Sequence, residues 1–485
     1  MISEFALGPW LPDVTDYRNP GLEVCTNVIP GPGGYKPAYG ANTSEGDVGA
    51  AVLSAMSFQR ADGTRITVCA TAGDLHHIVG GTVTDSTLTL TLTKPVRFER
   101  FGSSIYASSK EGVWYLDDIE ADSTFVAENW TIPHGLAMAR VGDFLFMGNL
   151  IDTDTNDASY RVRWSPYNNP QGEWATSISL QSDAVDMPEN LGVVMGITGG
   201  NTGLIFQRNG LSRIQYTGGP SVFAKQTVDT QRGLAAPFSL AQVGENVFYL
   251  SDDGFFVTNG TAGQSISRGR VWDWFLANAS QTYLSTVQAA VDWPNRCVVW
   301  TVPGDSGAFV GLLYYNWETQ WWSYVALATD CVFASGIAGL TLEQVAAIYT
   351  DLDTMTLSLD SPAFAARGKS MAAFVGGIQY QLTGSSLAAV FESGEFQPQP
   401  GKRVFVRSVT PIVTDSSDAT LVTMTGRVRA GASYTSAPDV AIGPIGFAPF
   451  NFDSRFVRVG LTIPAGTTWN DAFGYQIDFD VSGDT

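Results

Sequence analysis

Histidine is scarce in this chain of 485 residues, with three copies at 76, 77 and 134, and cysteine is nearly as rare, with four at 25, 69, 297 and 331. Cysteines so scattered make neither a disulfide framework nor a paired-cysteine zinc site. Cys69 and Cys297 fall in apolar, strand-like runs and read as buried free thiols. Gly304-Asp305-Ser306-Gly307 matches a serine-protease nucleophile signature. A triad needs a base within hydrogen-bond reach, and no histidine stands in a matching context, so the stretch reads as a hairpin turn.

Positive charge is also in short supply. Lys and Arg number 27 against 47 Asp and Glu, a net charge of −20. That balance excludes a protein that grips nucleic-acid phosphates. It leaves open plain solubility, or a surface past which nucleic acid slides. No apolar run approaches the 18 or more residues of a membrane span. The start lacks a basic stretch followed by an apolar one, so no signal peptide is expected.

Other candidate sites are incomplete. Gly368-Lys369-Ser370 ends like a phosphate-binding loop, but Ala363 stands where its first glycine belongs. Asp152-Thr153-Asp154-Thr155-Asn156-Asp157 opens like a calcium loop, yet no glycine follows Asn156 and Arg163 replaces the closing glutamate. His76 and His77 are adjacent in a strand and point to opposite faces, so they cannot chelate one metal. Asp252, Asp253 and Asp292 could supply paired carboxylates, but nothing selects a pair. The tryptophans of 317–322 could stack sugars or fill a wedge between sheets. No catalytic, cofactor or metal site is assigned, and no cofactor is expected.

What is abundant is glycine (51 copies) and aromatic residues (12%), the composition of β structure with tight turns. One motif organises the chain. Residues 240–257 hold two Val/Phe/Tyr-rich runs around Ser251-Asp252-Asp253-Gly254, preceded by a second turn at Val243-Gly244. Weaker copies stand at Phe98–Tyr106, Met138–Phe146 and Met371–Tyr380. Units begin near 51, 96, 137, 193, 239 and 287, roughly 40–60 residues apart, the period of four-stranded propeller blades. The expectation is an all-β chain in three parts: a turn-rich segment 1–50 without its own core, a β-propeller over 51–392 with six blades (seven possible), and a β-sandwich over 393–485. Leu342, Val345, Ile348, Leu352 and Met355 have helical spacing, predicting a helical insertion near 340–360. Strands at 371–382 and 388–392 are expected to close the ring with the first blade.

Several stretches resemble, in order along the chain, the tail nozzle proteins (tail tubular protein B family) of short-tailed bacteriophages. They are Gly8-Pro9-Trp10-Leu11-Pro12-Asp13, Asn19-Pro20-Gly21-Leu22, Asn27-Val28-Ile29-Pro30 with Gly33-Gly34-Tyr35, Arg161–Ser165 with Trp174, Leu250–Phe255, residues 341–362, and Arg455–Arg458 with Trp469 and Gly474. The resemblance implies a structural virion protein and no enzyme: a homo-oligomer, usually a hexameric ring, made in the host cytoplasm and residing in the phage tail. Its partners would be the adaptor (connector) ring above and tail fibres or a tail tip. Genomic DNA would pass through its channel without specific binding. A platform domain built from both chain ends would join the subunits, with Trp10, Asn19, Pro20, Asn27, Tyr35, Arg455, Arg458 and Trp469 as platform and ring-interface candidates. The alternative is a propeller that binds or hydrolyses glycans at a cell surface. An intracellular WD-repeat scaffold is disfavoured, since repeated Gly-His and Trp-Asp pairs are missing.

Overall fold

A computed structural model describes residues 1–483 except 16, 18, 122, 128–132, 153–156, 219–220, 337–368 and 416–417. The helical insertion expected near 340–360, and the 341–362 stretch of the resemblance, lie outside the described residues.

The chain is all-β, and the described strands at its centre make a β-propeller of seven blades, the larger of the two expected numbers. Six four-stranded antiparallel sheets follow one another, beginning at Val52–Gln59, Arg97–Phe101, His134–Val141, Val194–Thr198, Ala241–Val243 and Ala289–Asp292. The seventh combines Cys331–Gly336, Lys369–Val375 and Ile378–Gln381 with Ser44–Asp47 from the chain's beginning. Its innermost strand packs against that of blade one, which closes the ring.

The physical reason for the ring lies in its wedges. Each sheet has two apolar faces and can cover neither alone. Blade one meets blade two through Ile66, Val68, Phe98 and Trp114. Phe101, Met138, Leu145 and Trp174 fill the next wedge, and Phe146, Trp164, Ile205 and Phe223 the third. Phe206, Leu211, Tyr249 and Phe256 follow, then Phe255, Trp300 and Trp322. The circle is completed by Val299, Leu312 and Met371, and by Val52, Cys69, Cys331 and Phe374. All four cysteines are buried free thiols.

The repeated motif marks the turn between the innermost and second strands. Gly102, Gly142 and Gly244 have φ of 63°, 57° and 62°, which suits the first position of a two-residue type II′ turn and disfavours a side chain there. The copy at 371–380 sits one strand further out. Gly376 and Gly377 join the second and third strands of blade seven, because the innermost strand is separated from them by 337–368.

Two strands depart from the expected closure. Ala389–Ser393 does not enter the ring; it pairs with Leu22–Thr26 and Phe456–Ile463. The ring is closed by Ser44–Asp47 instead, held by Glu45. Its carboxylate accepts from Arg65 (2.6 Å), Gln379 (2.8 Å) and Gln381 (2.9 Å).

The remaining strands make two facing sheets. One orders Val28–Gly31, Gly34–Pro37, Ala472–Gly483, Arg403–Val413 and Ala448–Ser454, with Ile2–Ala6 also on Ala472–Gly483. The other continues blade six. Trp322–Val325 is bridged in parallel to Leu22–Thr26, and Ala389–Ser393, Phe456–Ile463 and Leu421–Arg427 follow. Alternating burial along Leu421–Arg427 and Ala448–Ser454 is the mark of half-buried strands. Tyr35, Val406, Met424, Val459, Leu461 and Phe479 form the core between the sheets, continuous with the wedge of blades five and six. Among the described residues, no helix is long and apolar enough to cross a membrane.

Candidate functional site: the platform joint and the propeller axis

Five of the eight residues singled out by the resemblance, Trp10, Asn19, Asn27, Tyr35 and Arg458, lie where the first forty residues cross between propeller and two-sheet platform. Two backbone segments touch there. A Cβ on Gly21 would lie 1.9 Å from the Pro9 carbonyl oxygen, and one on Gly8 would lie 2.8 Å from that of Pro20. Only glycine permits this approach. Asn19 holds the crossing: its amide donates to the Leu11 carbonyl (3.0 Å) and its Oδ1 accepts from the Gly21 amide (2.9 Å). Pro20 itself is exposed.

Trp10 is buried, donates Nε1–H to the Glu23 carbonyl at 3.0 Å and meets Trp274 edge-on at 4.8 Å. Asn27 has φ of 61° and spans three segments. Its Nδ2 donates to the Ala388 carbonyl, its Oδ1 accepts from the Ala326 amide, and its own amide donates to the Tyr324 carbonyl. Tyr35 is fully buried and donates to the Gly8 carbonyl at 3.0 Å. Burial pushes its hydroxyl pKa well up, with the Cys25 thiol beside it. Trp469 is buried in the platform core, in the loop before Ala472–Gly483.

Arg458 sits at the rim of the joint. Its Nη1 pairs with Glu23 at 2.6 Å, its Nη2 donates to the Tyr434 hydroxyl at 3.0 Å, and Tyr434's ring lies 4.5 Å away. Arg455 lies over the Phe456 ring, 5.6 Å away. Beside them is a group the sequence reading missed. Glu395, its side chain fully enclosed, accepts a bidentate pair from Arg427 (2.5 and 2.6 Å) and a third bond from Tyr434 (3.1 Å). Nothing in the sequence around it marks Glu395. Among these candidates the buried ones are enclosed by their own chain, so their contribution is to fix platform against propeller.

Asp13, from the same N-terminal stretch, accepts from the amides of Asp273 (2.9 Å) and Trp274 (2.8 Å). It thereby caps the seven-residue helix Trp272–Asn278, an element not expected from sequence. The cap comes from a residue 260 positions away, beyond the reach of local sequence signals.

The propeller axis is narrow. Innermost strands of all seven blades line a cavity of about 250 Å3, with Ser54, Arg97, Glu99, Thr198, Gln242 and Gln288 as its polar groups. A wider recess of about 660 Å3 adjoins it beside blades one, six and seven. Arg97 donates to the Pro237 carbonyl, stands 4.3 Å over the Phe238 ring, and is brought down to about 10 by burial. Burial pushes the Glu99 carboxyl up to about 7, against the pull of Arg140 and Arg97. An axial space of this size is below that of ordinary small-ligand pockets, and it leaves no passage for a nucleic-acid duplex.

The motifs set aside earlier take structural places. Gly304–Gly307 is the hairpin between Cys297–Pro303 and Phe309–Asn316. Asp152 is enclosed and ion-paired with Arg161 (3.2 Å) and Arg163 (3.1 Å); residues 153–156 lie outside the described residues. His76 links Thr71 (3.1 Å) to Asp85 (2.7 Å) in the order of a catalytic triad. Thr71 is buried and its hydroxyl also bonds both backbone groups of Asp74, so the array pins a turn of blade one. Asp252 pairs with Arg208, Asp253 with Arg232 and Arg268, and Asp292 bonds Asn295. Trp322 fills the wedge, stacked on Trp300 at 5.9 Å, and Trp321 packs on Tyr35.

No family model and no curated protein matches the chain. Solved structures similar to it include the extracellular domain of a hybrid two-component system from B. thetaiotaomicron, with 10% identity over 82% of this chain and a TM-score of 0.41. The chain spans about half of that domain's length (47%). Another is BBS1N in complex with ARL6DN (8% identity, 72% of this chain and 97% of that one, TM-score 0.42). A third is the exo-β-1,3-galactanase of Phanerochaete chrysosporium with galactose (10%, 87% and 95%, TM-score 0.29). Likenesses this distant carry no argument about function.

Proposed function

We propose that the chain is a structural subunit of a phage tail nozzle: a homo-oligomer, most simply a hexamer, seated below an adaptor ring in the virion. The observation that supports the reading is that Trp10, Asn19, Asn27, Tyr35 and Arg458, five of the eight residues of the resemblance, lie at one joint between platform and propeller. Such a joint makes a rigid bracket from which the propeller hangs. Ring contacts then fall to the platform's outer strands. Ile2–Ala6 pairs only with Ala472–Gly483, and Ala448–Ser454 only with Arg403–Val413, among the described residues. These strands lie on opposite sides of the sheet, and Ile2, Ile445, Phe447 and Val481 are exposed near them. Opposite edges suit a head-to-tail contact that closes into a ring. DNA would travel between subunits, since the axial cavity of about 250 Å3 is too small for a duplex, and a net charge of −20 keeps it from adhering.

Negative-stain imaging and light scattering of the purified protein, alone and with adaptor-bearing particles, test this. A ring near six times 52.0 kDa with a central hole is expected. A monomer that neither self-associates nor binds particles overturns it. The second reading is a glycan-binding or glycan-hydrolysing propeller at the cell surface. It is favoured by an exposed tyrosine pocket and predicts a monomer retained by polysaccharide.

A further inference from the structure

Blades three and four meet at a surface pocket of about 360 Å3. Its floor is aromatic and buried: Phe144 and Phe223 stand edge to face, 5.1 Å apart. Its walls are Tyr167 and Tyr216, 54% and 44% exposed, with ring centroids 5.6 and 5.7 Å from Phe144. Two polar groups reach the same walls. The Tyr167 hydroxyl donates to Asp143 Oδ2 at 3.3 Å, and the Tyr216 hydroxyl donates to Gln181 Oε1 at 3.0 Å. Gln181 stands in the left-handed region (φ 60°), fixed there by the indole N–H of Trp164 on its carbonyl.

We infer that this pocket binds a neutral saccharide. A pyranose has an apolar face of C–H groups and a rim of hydroxyls. The first packs against tyrosine rings, and the second needs acceptors and donors in the plane of a carboxylate or amide. Both are present here, and both tyrosines are ordered by bonds long enough to be shared with an incoming hydroxyl. A cationic ligand is disfavoured because Arg140 already lies 3.4 Å from Asp143. Exposed Ile178 and Leu180, on the segment beside Tyr167, extend the apolar surface next to the pocket. An exposed apolar patch around a concave aromatic site marks an interaction surface. The inference deepens the glycan-binding reading yet stands whether or not the chain builds a ring, because the pocket belongs to one protomer.

Affinity electrophoresis of the full chain in gels carrying mannan, galactan or β-glucan tests the assignment. Retardation by at least one polysaccharide is expected. Y167A and Y216A should each weaken it roughly tenfold, the scale of one lost ring contact. Y160A, outside the pocket, should be unchanged. All three side chains are exposed or half-exposed, and unchanged melting temperatures would show that the variants fold. Absence of retardation by every polysaccharide overturns the inference, as does retardation that Y167A and Y216A leave intact. Self-association abolished by these two variants, without polysaccharide binding, would reassign the patch to contact between copies. Wild-type ring imaging is read independently of polysaccharide retardation, so the two readings fail separately.

Discussion

The propeller wedges and the platform joint are stabilised by different means. A wedge is repetitive and apolar: Phe146, Trp164 and Phe223 in one, Phe255, Trp300 and Trp322 in another, all closing over area removed from water. The joint is made once, from polar groups and close backbone approach: Asn19, Asn27, Gly21, and the enclosed Glu395–Arg427 pair. Apolar packing tolerates exchange of one large residue for another of similar volume. A joint of this kind tolerates almost none, because each polar group is matched to specific partners and is costly when they are lost.

Removing one partner of the enclosed pair should have the largest effect. E395A leaves the Arg427 guanidinium without its carboxylate and is expected to cost about 3–5 kcal/mol, read by chemical denaturation. The companion E395L/R427M should recover most of that loss, since neither charge is then stranded. If E395A proves neutral, the joint is not held by this pair. W300A, in a wedge, should cost a similar ~3–5 kcal/mol through its cavity, but no second substitution of charge will rescue it. The contrast between a rescuable and an unrescuable loss separates the two regions.

Gly21→Ala should cost about 2–3 kcal/mol by forcing the two backbones apart, whereas alanine at the exposed, uncrowded Gly431 should be close to neutral. Equal melting temperatures for the two variants would deny the crossing any strictness.

Glu99 tests the propeller axis by pH. Its carboxyl titrates at about 7 in the folded chain, against an ordinary value of 4.5. The folded state therefore holds the proton more tightly, and this group's contribution to stability falls as pH rises from 4.5 to 7, then levels off. E99Q should be more stable than wild type at pH 8 by about 1–3 kcal/mol, with the gap closing near pH 4.5. A gap that is constant with pH would place Glu99 in water. The smallest effect is expected of D13A, which uncaps the helix Trp272–Asn278 at a cost of about 1 kcal/mol. Faster amide exchange at Asp273 and Trp274 would report it.

The propeller was legible because its cause is local. Valine and aromatic runs broken by glycine turns at a steady period announce blades, and six of the blade beginnings lie within a few residues of the expected places. The seventh blade was hidden by the 337–368 segment, which parts its innermost strand from the rest, and by the distance of its outer strand in sequence. Nothing around Ser44–Asp47 says that it will lie beside Ile378–Gln381. Ala389–Ser393 failed in the opposite sense: its strand character was plain, but which sheet it joins depends on Leu22–Thr26. The tyrosine pocket gave no signal at all, since Asp143, Tyr167, Gln181 and Tyr216 come from four separate stretches.

By itself, then, the sequence determined the class of structure: all-β, built from blades, carrying a strong negative charge and buried thiols, with a distinctive polar beginning. Those properties follow from periodicity and composition, which act over a few residues. Only the folded chain decided the number of blades, the strand that seals the ring, the partner of Glu395 and the surface where aromatic and polar groups meet. Each of these depends on contacts between residues tens to hundreds of positions apart, chosen by which faces and charges remain uncovered once the local units have formed.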